Sequence, residues 1–347
     1  MTVAREHLIQ GSDRAIGLTA EKTPELAAVT SLVAAIAYLE AMPRQADVRS
    51  HGRVFDDIAE QYDRHRPAYP DVLLDMACET AGIGPDSEVL EIGCGTGQLT
   101  RSLLARGLRV TAVEPGRRLI ARARERLSGA GEVRFLNSRL EDAQLPLAGY
   151  SAVFSASAIH WVDPAVSWRK AADALVDGGT FALVSYFGLD DPRSAGDQKA
   201  LREALRKVEA GPAAEWPTYR DLDSILAGVA ARRGNISEVW AWLGGYELAR
   251  DYAADLFDDV QVATVPMQLE HTAEELNALL GTMSFWARLS PPQRNALAAE
   301  NQALHERIGR PMRSSTLACL VLARRRPRTC ATAESIRNGE APAAGRG

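Results

Sequence analysis

Apolar positions along this chain follow two periods, and the two take turns. Continuous or nearly continuous apolar runs lie at 89–92, 109–115, 133–136, 150–156, 178–185, 260–269 and 316–323. Such runs read as strands buried on both faces. Between them apolar residues recur three and four apart, at 71–81, 116–128, 165–175, 273–281 and 292–308, which is helical spacing. Gly82 supplies a stop, and Asp163-Pro164 supplies a capping carboxylate and a first-turn proline. Strands alternating with helices predict a mostly parallel α/β sheet.

Two further regions break this rhythm. Residues 189–255 are helical in pattern, interrupted at Pro192, Gly211-Pro212 and Gly244-Gly245, and carry Trp216, Tyr219, Trp240, Trp242, Tyr246 and Tyr252. This reads as a helical lid inserted after the fifth strand and lining an apolar pocket. Upstream, Thr23-Pro24-Glu25 opens an amphipathic helix that runs to about Pro43. Its apolar face is expected to cover the substrate mouth, form a dimer contact or pack on the domain. The expected organisation is an extension over 1–50, a core over 51–188, a lid over 189–258, completing strands and helices over 259–326, and a disordered tail over 327–347.

The candidate chemistry starts where the first strand ends. Glu91-Ile92-Gly93-Cys94-Gly95-Thr96-Gly97 places three glycines on alternate positions ahead of a helix. Glycine lets backbone turn tightly and approach a ligand, and the helix start offers unpaired N–H groups. A dinucleotide fingerprint would need its third glycine at position 98, which is Gln98, and no phosphate-binding lysine follows. An acid at this strand end repels a pyrophosphate but suits an ammonium group. The second strand ends in Glu114, about twenty residues past the first glycine, where a carboxylate can accept ribose hydroxyls.

The E-x-G-x-G-x-G stretch resembles motif I of the class I S-adenosylmethionine (SAM)-dependent methyltransferases. The segment 55–70, F-D-x-x-A-x-x-Y-D-x-x-R-P-x-Y-P, and the later His160-Trp161-Val162-Asp163-Pro164 are similar to the trans-aconitate methyltransferase-like group. The resemblance covers roughly 53–325. It implies a Rossmann-like seven-stranded sheet with an antiparallel last strand, helices on both faces and SAM as co-substrate without a metal. By position it implies cofactor contacts from Tyr69, Glu91, Gly93, Cys94, Gly95, Gly97, Glu114, Pro115, Leu140, Glu141, Ser155 and Ala156. It places Tyr62, Arg66, Trp161 and Trp286 in the substrate pocket. His160 is the catalytic candidate, as a base or as a hydrogen-bond donor to substrate. The implied reaction is methyl transfer to a small, partly apolar metabolite in a biosynthetic pathway, at a carboxylate or hydroxyl. C- or N-methylation of an aromatic or isoprenoid compound is the alternative, and a non-catalytic SAM-binding partner protein is a third reading.

Bulk properties narrow this only a little. The net charge of −5 over 347 residues argues against a general nucleic-acid binder. Cys78, Cys94, Cys319 and Cys330 show no metal-ligand spacing and read as reduced thiols of a cytoplasmic protein. The longest apolar stretch, 26–39, is broken by Thr30 and Ser31 and is too short to span a bilayer, and no signal peptide is expected. The expected partner is a small-molecule acceptor, with no nucleic acid and no membrane, on a monomer or homodimer.

Overall fold

A computed structural model describes residues 54–208, 219–244, 252–286 and 289–328. The expected N-terminal helix, the tail beyond Arg328, Trp216 and Tyr246 lie outside these residues. Seven strands form one sheet: β1 (Glu88–Ile92), β2 (Arg109–Glu114), β3 (Val133–Asn137), β4 (Tyr150–Ala156), β5 (Leu175–Gly188), β6 (Phe257–His271) and β7 (Met312–Arg325). Their order is β3-β2-β1-β4-β5-β7-β6. β1 pairs in parallel with β2 and with β4, β2 with β3, and β4 with β5. β7 runs antiparallel to both β5 and β6. The Rossmann-like sheet with an antiparallel last strand is therefore present.

Side-chain alternation sorts the core. From β1, β4, β5 and β7, residues Val89, Phe154, Ala182 and Leu320 face one side. They meet Leu73, Leu74 and Ala77 of α3 (Asp71–Ala81) and Leu99 and Leu103 of α4 (Gln98–Leu104). Ala123 of α5 (Arg117–Arg126) joins the same cluster. The neighbouring positions Leu90, Val153, Phe181 and Val321 face the other side, against Trp168 of α6 (Pro164–Ala174). One strand thus feeds two apolar layers because successive side chains point to opposite faces.

The stretch expected as the lid divides in two. α7 (Ala195–Lys207) packs with α10 (Ala273–Gly281) and α11 (Pro291–Ile308) through Leu201, Leu205, Leu276, Leu280, Leu297 and Leu304. α7 follows β5, α10 follows β6 and α11 precedes β7, so this cap stands over the carboxyl edge of the parallel strands. α8 (Leu222–Ala230) and α9 (Ile236–Gly244) instead lay Ile225, Val229, Val239 and Trp240 on the α6 face of the sheet. Trp240 is fully buried against Phe187, with ring centroids 5.8 Å apart. The guanidinium groups of Arg220 and Arg232 lie over the Trp242 ring, 4.5 and 4.4 Å from its centre. These aromatics fill a core layer and do not line a mouth. Helical periodicity shows that a face is apolar, not which surface it covers.

Two short helices begin the described chain, α1 (Val54–Asp57) and α2 (Ala59–His65). They lie between α5 and α10, above the glycine turn.

Candidate functional site

The glycine turn joins β1 to α4 at the point where strand order reverses, the place where α/β sheets bind ligands. Gly93 has φ +74°, and a Cβ there would come within 2.3 Å of the Ala158 Cβ. Gly97 has φ +86°, and a Cβ there would press on Leu127 at 2.8 Å. Glycine is required at both positions by conformation and by space. Cys94 is buried, and burial raises its thiol well above its ordinary value, so it packs as a protonated thiol.

Glu91 lies beneath α4, 1% exposed, and accepts a hydrogen bond from Thr100 Oγ1 at 2.6 Å. Burial pushes its carboxyl up to about 7; the Thr100 bond offsets part of this and the Glu114 charge adds to it. Glu114 stands across the turn. The Gly95 N–H donates to its Oε2 at 3.1 Å and the Gly116 N–H to its Oε1 at 2.8 Å. Each oxygen keeps a further lone pair for a ligand hydroxyl. Burial raises this carboxyl too, against the pull of the two backbone bonds.

The other residues expected around the cofactor differ in their surroundings. Ser155 Oγ donates to the Ile92 carbonyl at 3.1 Å and ties the end of β4 to the end of β1, with half-buried Ala156 next to it. Pro115 is exposed, and its carbonyl accepts from Asn137. Leu140 packs inside the α6-side core with Val113 and Ile159. Glu141 accepts from Arg139 at 2.9 Å and from the Asp163 N–H at 3.3 Å. Burial works against the Glu141 charge, but these bonds outweigh it and hold the carboxyl below its ordinary value.

The entry segment is fastened over the turn by charge. α5 has no capping side chain of its own. Asp56 supplies one from a distance, accepting from the N–H groups of Arg118 and Leu119 at 2.7 and 3.0 Å. Asp57 pairs with Arg118 at 3.1 Å, and Asp63 pairs with Arg122 at 3.1 Å and with Arg126. Asp56 and Asp63 stand in the sequence as motif positions without an assigned partner. Their signal was the arginine stripe 118, 122, 126 at four-residue spacing, matched to acids in the preceding segment.

This fastening sets an aromatic and cationic wall. Tyr62 lies 3.8 Å from where a Gly95 Cβ would stand. Phe55 meets Tyr62 and Trp161 edge-on, each with centroids 5.6 Å apart. The Arg66 guanidinium sits 5.1 Å from the Tyr62 ring centre, and its Nη2 donates to the Thr282 carbonyl at 2.8 Å. Arg66 Nε is buried without a hydrogen-bond partner among the described residues. His160 lies against Trp161 at 5.0 Å, and burial, then the Arg66 charge, push it down to about 3. Half-buried Trp286 belongs to the cap cluster, four positions beyond Thr282. Tyr62, Arg66, His160 and Trp161 therefore come together, while Trp286 packs within the cap cluster. Among the described residues no group of three or more His, Cys, Asp or Glu can hold a metal, and no helix is long and apolar enough to cross a membrane.

Residues 90–183 match the family model of a methyltransferase domain, which spans β1 to β5. An uncharacterized methyltransferase of Mycobacterium tuberculosis is 35% identical over 194 residues, covering 51% of this chain and 76% of the relative. An uncharacterized methyltransferase of Geobacillus kaustophilus is 28% identical over 196 residues, covering 52% of this chain and 86% of the relative. Among solved structures, a Haemonchus contortus phosphoethanolamine N-methyltransferase 2 aligns at a TM-score of 0.43 and 14% identity, over 82% of this chain and 61% of that one. The mycobacterial relative carries the assignment: the chain belongs to the class I SAM-dependent methyltransferases.

Proposed function

We propose that the protein transfers a methyl group from SAM to a carboxylate on a small, partly apolar metabolite, forming a methyl ester in a biosynthetic pathway. The observation that carries this reading is the buried, unpartnered Arg66 Nε beside a histidine that stays neutral. A half-buried guanidinium whose Nε is shielded and open calls for an anionic acceptor.

SAM, when bound, supplies an electrophilic methyl. The residues present fit it: a turn without side chains for the amino-acid end, and a Glu114 carboxylate with lone pairs left for the ribose hydroxyls. Arg66 and the neutral imidazole of His160 then hold the acceptor carboxylate by donated hydrogen bonds. Tyr62, Trp161 and Trp286 wall the site from water. Orienting the acceptor in line is worth about 7–11 kcal/mol. A carboxylate is already ionised and needs no base. A phenol would need one, and a histidine held down to about 3 is too weak a base for that role. The aromatics of the former lid region spoke for an aromatic or isoprenoid acceptor, but Trp240 and Trp242 pack on the sheet face. The acceptor is read as a free cytoplasmic metabolite, met by a monomer or homodimer, with neither nucleic acid nor membrane as partner.

Labelled SAM offered with matched panels of carboxylic acids, phenols and amines tests the reading by mass spectrometry of the products. Alkali-labile esters from the acids are expected. Arg66→Met should raise the acceptor KM roughly tenfold to a hundredfold, the worth of a hydrogen bond to a charged group. Products from phenols or amines alone would refute the carboxylate.

A further inference from the structure

A line of three hydroxyls runs behind the glycine turn. Ser157 Oγ lies 2.9 Å from Ser185 Oγ and 3.1 Å from the Tyr69 hydroxyl. Ser157 directly follows β4 and has φ +52°, in the left-handed region that residues with a Cβ seldom adopt. Its neighbour Ala158 presses on Gly93, so this turn and the glycine turn form one wall. The Tyr69 ring is fixed separately. It stacks on Tyr186 with centroids 5.2 Å and planes 9° apart, and the Tyr186 hydroxyl donates to the Ala68 carbonyl.

Proton counting gives the line a direction. Three hydroxyls carry three protons, and two bonds between them use two. Ser185 is buried in β5, and Ser157 is its hydroxyl's only partner among the described residues. A line ending in a donated proton at Ser185 would leave that proton buried without an acceptor, which is costly. The favourable order is Ser185 donating to Ser157 and Ser157 donating to Tyr69, with the phenol proton free to point outward. Burial raises the Tyr69 phenol above its ordinary value, so it keeps that proton at neutral pH.

We propose that Ser157 is a positioning residue for the cofactor: through this line it turns the Tyr69 phenol outward as a donor to the carboxylate at the amino-acid end of SAM. The inference rests on the reading that the glycine turn receives that end. It also explains why a strained backbone carries serine where glycine would fit more easily.

Calorimetry with two probes tests it on the full chain: S-adenosylhomocysteine, which has the amino-acid end, and 5′-methylthioadenosine, which lacks it. Ser157→Gly relieves the backbone but removes the hydroxyl that accepts from buried Ser185, so its two effects on stability oppose each other and the affinities carry the test. Its affinity for S-adenosylhomocysteine should fall about tenfold, with 5′-methylthioadenosine unchanged. Tyr69→Phe should behave alike toward both probes, and the double variant should bind no more weakly than Tyr69→Phe alone. Ser185→Ala, which leaves both backbones alone, should show a smaller loss of the same selectivity. Unchanged S-adenosylhomocysteine binding in Ser157→Gly, equal losses for both probes, or multiplying losses in the double variant would overturn the proposal. If the unaltered protein binds both probes equally well, the placement of the amino-acid end fails instead.

Discussion

Glu91 should make folding stability depend on pH in a direction opposite to most carboxylates. It is 1% exposed, and its carboxyl is raised from 4.5 to about 7, with burial the largest cause. Below pH 4.5 folded and unfolded chains both carry the proton, and the full stability is present. As pH rises from 4.5 the unfolded chain ionises while the folded protein holds its proton, so stability is lost until about pH 7, where the folded carboxyl also ionises. The loss amounts to about 3 kcal/mol, a large part of a typical domain's 5–15 kcal/mol. Glu91→Gln removes the titration, and its amide oxygen can still accept from Thr100. Urea unfolding of both proteins from pH 4.5 to 8 measures the difference. The variant should gain on the natural chain by about 3 kcal/mol across that range, whatever its offset at pH 4.5. Parallel stability curves would show that Glu91 is ionised in the folded protein, and the burial argument would fail.

Other expectations follow from the same geometry. Glu114→Ala should weaken S-adenosylhomocysteine binding at least tenfold by calorimetry, since a charged hydrogen bond is worth about 1.5–3 kcal/mol; unchanged affinity would remove the ribose assignment. Asp63→Ala should cost about 1 kcal/mol or less in stability, because the arginines it pairs with are partly exposed, yet it should speed tryptic cleavage at Arg64. Cleavage at the natural rate would mean that Asp63 does not fasten the entry segment. His160→Ala should lower turnover by less than about 10²-fold while SAM affinity holds; a larger loss would restore the general-base role.

Local signals in the sequence determined a great deal. Alternation of strand and helix periods, the Gly82 stop and the Asp163-Pro164 start each act within a few residues, and α3 and α10 fall where their spacing placed them. Strand ends were less legible: β5, β6 and β7 run longer than their apolar runs, because pairing with a neighbour extends a strand past its hydrophobic centre. The glycine turn and Glu114 were readable because tight turns and strand-end acids are constraints of backbone and spacing. Only the tertiary structure decided which side the helices of 195–244 cover, since an apolar stripe records that it is buried and not by what. It alone brought Asp56 to α5, Arg66 to Thr282 and Tyr69 to Ser157, partners 62, 216 and 88 positions apart. Hydrogen bonds over such separations leave no periodic trace in the chain; they exist because the sheet order carries distant strand ends to one edge.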